Sequence, residues 1–236
     1  MAGEASQMPF IRNLASSDRK LRTASIDSLK TFIGSRKEMS ETDALKLWKG
    51  LYYALWMTDR PLPQQALARE LANLVHELPA ATAVPWMRGF WGIMSLQWTD
   101  IDVLRMEKFL LLVRRSLAAQ LRWAADHAGA APDVLAVLRD WCFDAECDLR
   151  KVPVGLRLHA LDIWVDELER EKLLGEDKGL VRPLGDMVEA LRTCPVPTVR
   201  ERARDSYEDE RLPWVAKEEG EEGKDEDEGS WDGFED

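Results

Sequence analysis

The sequence predicts an all-α fold, an armadillo/HEAT-like helical-repeat solenoid of antiparallel helix pairs. Four long stretches lack proline, so helices can cross them unbroken. These stretches are residues 14–60, 86–131, 133–152 and 154–182. Every strong hydrophobic period is helical, and no segment shows the alternation of a strand. The predicted helices also form pairs that recur about every 40 residues, near the armadillo and HEAT repeat length. A compact helical bundle is the alternative fold.

Nine helices follow from the hydrophobic periods and from the residues that start and stop them. They are predicted at 18–33, 42–57, 63–78, 84–97, 100–128, 132–148, 154–173, 181–193 and 197–208. A proline opens six of these patterns, at the first turn, where its missing N–H costs nothing: Pro63, Pro85, Pro132, Pro153, Pro183 and Pro197. Ser40 or Thr42 is expected to cap the start of the second helix. Thr99 or Asp100 is expected to cap the start of the fifth helix, and Gly129 is expected to end it.

Tryptophan is abundant in this chain, with ten residues. Trp48 and Trp56 are eight positions apart and therefore share a helix face, and five more tryptophans lie within or beside apolar helical patterns: Trp91, Trp98, Trp123, Trp141 and Trp164. Aromatic residues at this spacing predict a core rather than a binding platform. Three glycines inside predicted helices, Gly50, Gly89 and Gly92, indicate close helix–helix approach.

The fifth predicted helix has an apolar face and a basic face. The apolar face carries Val103, Met106, Leu110, Val113, Leu117 and Leu121. Opposite it lie Lys108, Arg115 and Arg122, seven residues apart, with Arg105 beside them. We call these four residues the basic stripe. A solvated helix face is one interpretation, and a contact with an acidic partner or with RNA phosphates is the other.

The charge predicts three regions: a flexible N-terminal arm at 1–10, a helical-repeat domain at 11–212 and an acidic disordered tail at 213–236. The net charge is −11, of which the tail carries −9 and the other 212 residues only −2. Such a tail cannot bury apolar surface. Its three aromatic residues, Trp214, Trp231 and Phe234, could form a short partner-binding motif.

No motif points to catalysis, so the sequence predicts a binding protein without enzymatic activity, cofactor, metal or small-molecule substrate. His159, Asp162 and Asp166 share a helix face that is better explained as solvated than as a metal site. Cys142, Cys147 and Cys194 are expected to be buried free thiols, because an odd, sparse set does not suggest a disulfide framework. No membrane span or secretory signal is expected, so the chain is predicted to be soluble and intracellular.

Three segments together resemble the ribosomal RNA processing protein 1 family. They are LWKGLYYALWMTDRPLPQQALARELA at 47–72, FWGIMSLQWTDIDVLRMEKFLLLVRRSL at 90–117 and VGLRLHALDIWVDELER at 154–170. The second segment is the most specific, through Trp98, Ile101-Asp102, Leu104-Arg105 and Lys108-Phe109. The resemblance runs in order over roughly residues 8–210 and includes no catalytic signature.

The resemblance implies a non-catalytic scaffold in the nucleus and nucleolus, within early pre-60S particles. It implies partners among assembly factors, including a β-propeller protein and a Brix-domain RNA binder, with pre-rRNA as a further candidate. The acidic end departs from the family, which commonly continues into a basic extension. A cytoplasmic armadillo/HEAT-type adaptor without an RNA role is the alternative function.

Overall fold

The computed structural model describes residues 13–14, 16–175 and 179–215. These residues form nine α-helices and no strand, which confirms the predicted all-α class. The helices are α1 (Arg19–Gly34), α2 (Glu41–Trp56), α3 (Pro61–Asn73), α4 (Ala80–Gln97), α5 (Val103–Asp126), α6 (Ala131–Asp140), α7 (Val154–Arg170), α8 (Val181–Ala190) and α9 (Pro197–Tyr207). Short 3-10 segments follow three of them, at Leu74–Glu77, Trp98–Asp100 and Leu191–Thr193.

The helices pack as two layers, in the arrangement of a helical-repeat solenoid. In one layer α2 packs on α4, α4 on α6, and α6 on α8. In the other layer α3 packs on α5, α5 on α7, and α7 on α9. The repeats are therefore the pairs α2–α3, α4–α5, α6–α7 and α8–α9, which match the four predicted pairs. Within each layer, a helix packs against the equivalent helix of the neighbouring repeat.

Two helix starts show how local chemistry sets the boundaries. The Ser40 side chain accepts a hydrogen bond from the Asp43 amide and caps α2, as predicted. The predicted cap of α5 is wrong, because Thr99 and Asp100 lie in a 3-10 turn. Asp102 caps α5 instead, accepting from the Arg105 amide at 3.1 Å.

Two other predicted boundaries are also wrong. Helix α4 begins at Ala80, so Pro85 lies inside it rather than at its first turn. Helix α6 ends at Asp140 instead of 148, because the following backbone finds other partners. The buried Arg157 guanidinium donates to the carbonyl oxygens of Cys142, at 3.3 Å, and Asp144, at 2.7 Å. These bonds hold the connection between α6 and α7 as ordered turns.

The core is lined by tryptophan, as the sequence predicts. Trp48, Trp91, Trp98, Trp123 and Trp164 are all buried. Trp56 and Trp141 are only partly buried and pack at the margin of the core. Gly89 allows the close approach of α4 and α2, because a Cβ atom there would lie 2.7 Å from the Ala44 Cβ.

Trp214, the first aromatic residue of the predicted tail, packs on the body. Its ring stacks on Tyr207 at 5.1 Å and covers Gly185, where a Cβ atom would lie 2.2 Å from the indole. Its Nε1 donates to the Tyr207 carbonyl oxygen at 3.0 Å. The ordered chain therefore continues beyond 212 to at least 215. The rest of the predicted tail, and the predicted arm at 1–10, lie outside the described residues.

We expect Trp214→Ala to lower the free energy of unfolding by about 1–3 kcal/mol, because it removes a partly buried aromatic contact. Urea denaturation of the full chain measures this loss. Trp214→Phe is the matched control and should lose less, because a ring still covers Gly185. Wild-type stability of Trp214→Ala would show that the last turn contributes nothing to the fold.

The cysteine prediction is partly wrong. Cys142 is a buried free thiol, as expected, and burial raises the pKa of that thiol well above its usual value. Cys147 and Cys194 are buried but form a disulfide. The fold brings their Cα atoms to 6.1 Å, a contact that a separation of 47 residues does not reveal. No helix in the described part of the chain is long and apolar enough to cross a membrane.

Candidate interaction surfaces

Lys108 does not lie on a solvated face, which corrects the predicted basic stripe. Its side chain is buried, with 4% of the residue exposed. Its Nζ donates to the carbonyl oxygens of Trp56, at 2.8 Å, and Thr58, at 2.9 Å. These carbonyls end α2 and lack helical partners, so the ammonium group caps α2 from the next repeat. Burial lowers the pKa of Lys108 below its ordinary value.

Arg122 is likewise engaged within the fold. Its guanidinium donates to Asn73 Oδ1 at 2.7 Å, lies 3.0 Å from the His76 ring, and bonds Glu171 at 3.1 Å. Asn73 ends α3 and Glu171 follows α7, so Arg122 ties the ends of three neighbouring helices together. Its side chain is still 38% exposed, which leaves one side of the guanidinium open to solvent.

The other two members of the basic stripe lie in different surroundings. Arg105 pairs with Asp102 and lies over the Trp56 ring, 4.7 Å from its centroid. Arg115 is partly exposed, and no ion pair within the described residues involves it. The fold thus does not bring the four residues together as one exposed row. Their role in binding a partner or RNA stays a prediction, which Lys108 cannot serve because it is buried.

Acidic side chains of α7 neutralise much of the nearby positive charge. Arg114 bonds Asp166 at 2.7 Å and also contacts Glu167. Glu167 is fully buried, and this burial raises its pKa although the neighbouring arginines act in the opposite direction. Arg211 bonds Asp166 at 3.0 Å and Glu169 at 2.6 Å. This network joins α5, α7 and the segment after α9, so these charges stabilise helix packing.

His159, Asp162 and Asp166, the three residues considered as a possible metal site, each contact another group of the protein. His159 Nε2 lies 3.0 Å from the Leu110 carbonyl oxygen, and Asp162 pairs with Arg202. Asp166 is held by Arg114 and Arg211, as described above. Across residues 13–14, 16–175 and 179–215, no group of three or more His, Cys, Asp or Glu side chains is arranged to hold a metal ion.

His159 makes stability depend on pH, because burial lowers its pKa in the folded chain. The unfolded chain then binds more protons from about pH 6.5 downward, the ordinary histidine value. The stability that the neutral ring contributes is present above this pH and is lost as the pH falls towards the folded pKa. We expect urea denaturation to show a smaller free energy of unfolding at lower pH. His159→Gln keeps a donor for the Leu110 carbonyl oxygen and should make the free energy of unfolding depend less on pH. An unchanged pH dependence in this variant would contradict the prediction.

A surface that the sequence did not predict lies where the turns inside each repeat meet. Thr58 and Trp56 at the end of α2 contact Lys108 near the start of α5. The Trp98 indole, just after α4, lies against Gly155 at the start of α7. The first turn of α1 borders the same region, because Arg22 and Thr23 line a cavity with Thr58. These segments form one edge of the solenoid.

The exposed large apolar side chains of the described residues lie on the segments that form this edge. They are Leu21, Tyr53, Leu62, Leu96, Val103, Leu104, Leu149 and Val154. We call this set the apolar edge. Val103 and Leu104 are the most prominent, with 84% and 89% of their surface exposed. The prediction that Val103 lies in the core is therefore wrong, since the first turn of α5 projects beyond its neighbours. Where such side chains form a contiguous patch, they mark protein interaction sites.

The first turn of α5 carries two opposing local signals. Val103 fits the apolar period of α5, which predicts a buried position. The Asp102 cap, however, fixes Val103 and Leu104 as the first two helical residues. Adjacent positions on a helix point about 100° apart, so the pair is not expected to be buried on one face.

A groove lies beside the apolar edge, between α2, α4 and the connection from α6 to α7. Its volume is about 390 Å³. Leu45, Gly92, Leu96 and Trp141 form its apolar lining. The charged side chains that line it are Glu41, Arg88, Arg150 and Lys151. Its lining is thus apolar with a positive margin.

Comparison with known proteins gives consistent matches. A family model described as nucleolar protein, Nop52, matches residues 5–233. Ribosomal RNA processing protein 1 homolog B of Homo sapiens is 30% identical over 175 residues, which cover 72% of this chain and 23% of that protein. The ribosomal RNA processing protein 1 homolog of Drosophila melanogaster is 32% identical over 172 residues, covering 70% of this chain and 25% of that protein.

A more distant relative matches a similar share of the chain. The ribosomal RNA processing protein 1 homolog of Caenorhabditis elegans is 26% identical over 173 residues, covering 69% of this chain and 42% of that protein. The matched regions thus span between 23% and 42% of the lengths of these relatives.

Proposed function

Because this chain belongs to the family of nucleolar protein Nop52 and the ribosomal RNA processing protein 1 homologs, we propose that it supports ribosomal RNA processing in the nucleolus. It acts as a non-catalytic scaffold of large-subunit biogenesis and binds other assembly factors in pre-60S particles. The observation that carries this proposal is the match of one family over residues 5–233. A two-layer solenoid suits this function, since repeat proteins bind partners along extended surfaces.

The apolar edge is the surface that binds an assembly factor in this proposal. Val103, Leu104 and Leu62 are each more than three-quarters exposed, and such side chains stabilise a complex when a partner covers them. Arg105 lies beside them on the Trp56 ring and adds a polar contact at the margin. Arginine, together with aromatic side chains, is enriched among the residues that contribute most to the stability of protein interfaces.

The proposed partners are a β-propeller protein and a Brix-domain RNA binder, as the family resemblance implies. Pre-rRNA is a further candidate partner, for which Arg115 and the open side of Arg122 are the accessible members of the basic stripe. Most other cations around α7 are paired with acids, so a phosphate contact there would be local. We therefore propose protein contacts as the main interaction of the scaffold.

We expect Val103→Asp together with Leu104→Asp to reduce recovery of the full chain with pre-60S particles about tenfold or more, since buried apolar anchors dominate interfaces. The fold should survive, because acidic residues in the first turn of a helix interact favourably with its dipole. Gradient sedimentation, with large-subunit precursor RNA measured in each fraction, gives the readout. Circular dichroism of the purified variant confirms that it is folded.

The chain offers a closely matched control. Ala80 and Ala81 occupy the same first two positions of α4, are exposed, and follow the end of α3. The opposite edge of the solenoid begins there, so Ala80→Asp with Ala81→Asp adds the same charge away from the apolar edge. This control should sediment with pre-60S particles like the wild type. Equal loss in both variants would remove the apolar edge from the proposal but leave the family function standing.

The cytoplasmic adaptor is the alternative function, and the same experiment separates the two. A cytoplasmic adaptor would be recovered equally from the cytosol and the nucleus. It would not sediment with any pre-ribosomal particle. That outcome would overturn the proposed role in ribosome biogenesis.

A further inference from the structure

We propose that the groove between α2, α4 and the α6–α7 connection binds the acidic C-terminal segment of this same chain, residues 216–236. The segment lies outside the described residues, and its sequence and starting point carry the argument. One of its two aromatic rings, Trp231 or Phe234, would occupy the apolar lining, while its carboxylates would meet the positive margin.

The margin of the groove holds cations that the fold leaves available. Arg88 is already bonded to Asp140, at 2.7 Å, and lies 3.6 Å from Glu41. Arg150 and Lys151 are exposed, and no ion pair within the described residues involves either of them. The Lys151 Nζ lies 5.3 Å from the centroid of the Trp141 ring, so this cation stands directly beside the apolar lining.

The lining of the groove has room and unused hydrogen-bonding capacity. Gly92 keeps it open, since a Cβ atom there would lie 3.0 Å from Leu45 Cδ1 and 3.6 Å from Trp141 Cη2. Ser95 Oγ and Trp141 Nε1 are buried, and neither has a hydrogen-bond partner among the described residues. A volume of about 390 Å³ is in the range of small-molecule sites and accommodates an aromatic side chain.

The C-terminal segment has the complementary chemistry. Residues 216–236 contain eleven acidic residues and two lysines, a net charge of −9. Trp231 and Phe234 lie among acids near its end. The third aromatic of the predicted tail, Trp214, already packs on the body. An acidic peptide with one or two aromatic anchors therefore matches a groove with an apolar lining and two cations, Arg150 and Lys151, that form no ion pair with the described residues.

The starting point of the segment permits this contact. Trp214 covers Gly185 of α8, and α8 packs on α6, whose C-cap residue Trp141 lines the groove. Crossing from α8 past α6 to α4 covers about 20 Å, at 8–10 Å for each helix spacing. The sixteen residues from 216 to 231 span at most about 55 Å when extended. Trp231 can therefore reach the groove without rearrangement of the helices.

Photo-cross-linking in the full chain tests this proposal. Trp231 is replaced by p-benzoylphenylalanine, which keeps an aromatic ring, and cross-linked peptides are identified by mass spectrometry. We expect adducts with residues 88–96 or 141–151. Mixing nitrogen-15-labelled and unlabelled chains shows whether an adduct joins one chain or two. Raising the salt concentration should lower the yield, because exposed charges are screened.

Two charge variants provide the comparison. Arg150→Glu with Lys151→Glu should reduce the groove adduct about five- to tenfold, since two attractive exposed contacts become repulsive. Lys20→Glu with Arg69→Glu makes the same change in net charge at exposed positions that do not line the groove, and should leave the yield unchanged. Equal loss in both variants would overturn the groove as the binding site. Adducts between two chains, adducts elsewhere on the body, or no adduct at all would overturn the proposal.

Discussion

Replacing Lys108 with Glu is expected to lower the free energy of unfolding by about 3–5 kcal/mol, the usual cost of breaking a buried charged contact. The substitution removes the donor to the Trp56 and Thr58 carbonyl oxygens and places a carboxylate against them. It also exchanges a cation at the C-terminal end of α2 for an anion, which the helix dipole disfavours. Urea denaturation followed by circular dichroism measures the loss.

Two further variants separate the effects of charge and of hydrogen bonding. Lys108→Met keeps the length of the side chain but removes the ammonium donors. It should cost about 1–3 kcal/mol, the usual cost of an unsatisfied buried acceptor, here the Trp56 carbonyl oxygen. The Thr58 carbonyl oxygen keeps a hydrogen bond from Gln64 Nε2, at 2.9 Å. Arg115→Glu reverses a charge on the same helix at a partly exposed site, and should cost less than about 1 kcal/mol. Equal effects of Lys108→Glu and Arg115→Glu would mean that Lys108 is solvated.

Replacing Trp48 with Ala is expected to cost about 3–5 kcal/mol, as for other large aromatic residues in cores. The Trp48 ring lies 4.8 Å from the Trp86 ring and 4.9 Å from the Phe90 ring, measured between centroids. Its Nε1 donates to the Trp86 carbonyl oxygen at 3.0 Å. The variant therefore loses packing between α2 and α4 together with the hydrogen bond from the Trp48 indole. A thermal melt compared with wild type is the measurement.

Trp56→Ala is the natural comparison, because the two tryptophans share a helix face but not an environment. Trp56 is partly buried, with Arg105 over one side of its ring. Its loss should cost about 1–2 kcal/mol in proportion to the smaller apolar area removed from water. A folded Trp48→Ala variant of wild-type stability would show that the Trp48 ring is not part of the core.

Much of the fold could be predicted from the sequence because helix signals are local. The period of apolar residues, the Ser40 cap and the prolines at helix starts placed nine helices and their pairing into repeats. The failure at the end of α6 arose where a distant group forms hydrogen bonds with the backbone. Arg157 bonds the Cys142 and Asp144 carbonyl oxygens, and no local pattern signals this contact.

The candidate sites were predicted less well, because exposure depends on which elements meet. A helical period gives the relative direction of Lys108, Arg115 and Arg122 but not what lies opposite each of them. Lys108 faces the end of α2, about fifty residues earlier in the chain, and Arg122 faces the ends of α3 and α7. Val103 fits the apolar period yet projects from the edge. The cysteine pair and the docking of Trp214 depend on long-range contacts in the same way.

The sequence alone determined the all-α class, the four helix pairs, the tryptophan core and the family, because each rests on residue patterns within one or two helices. Only the tertiary structure decided which cations are buried, where apolar side chains remain exposed, and which surfaces are left for a partner. The physical reason is that burial is a property of contacts between segments. Lys108 caps a neighbouring helix and Val103 stays exposed only because the packed layers of the solenoid determine what surrounds each of them.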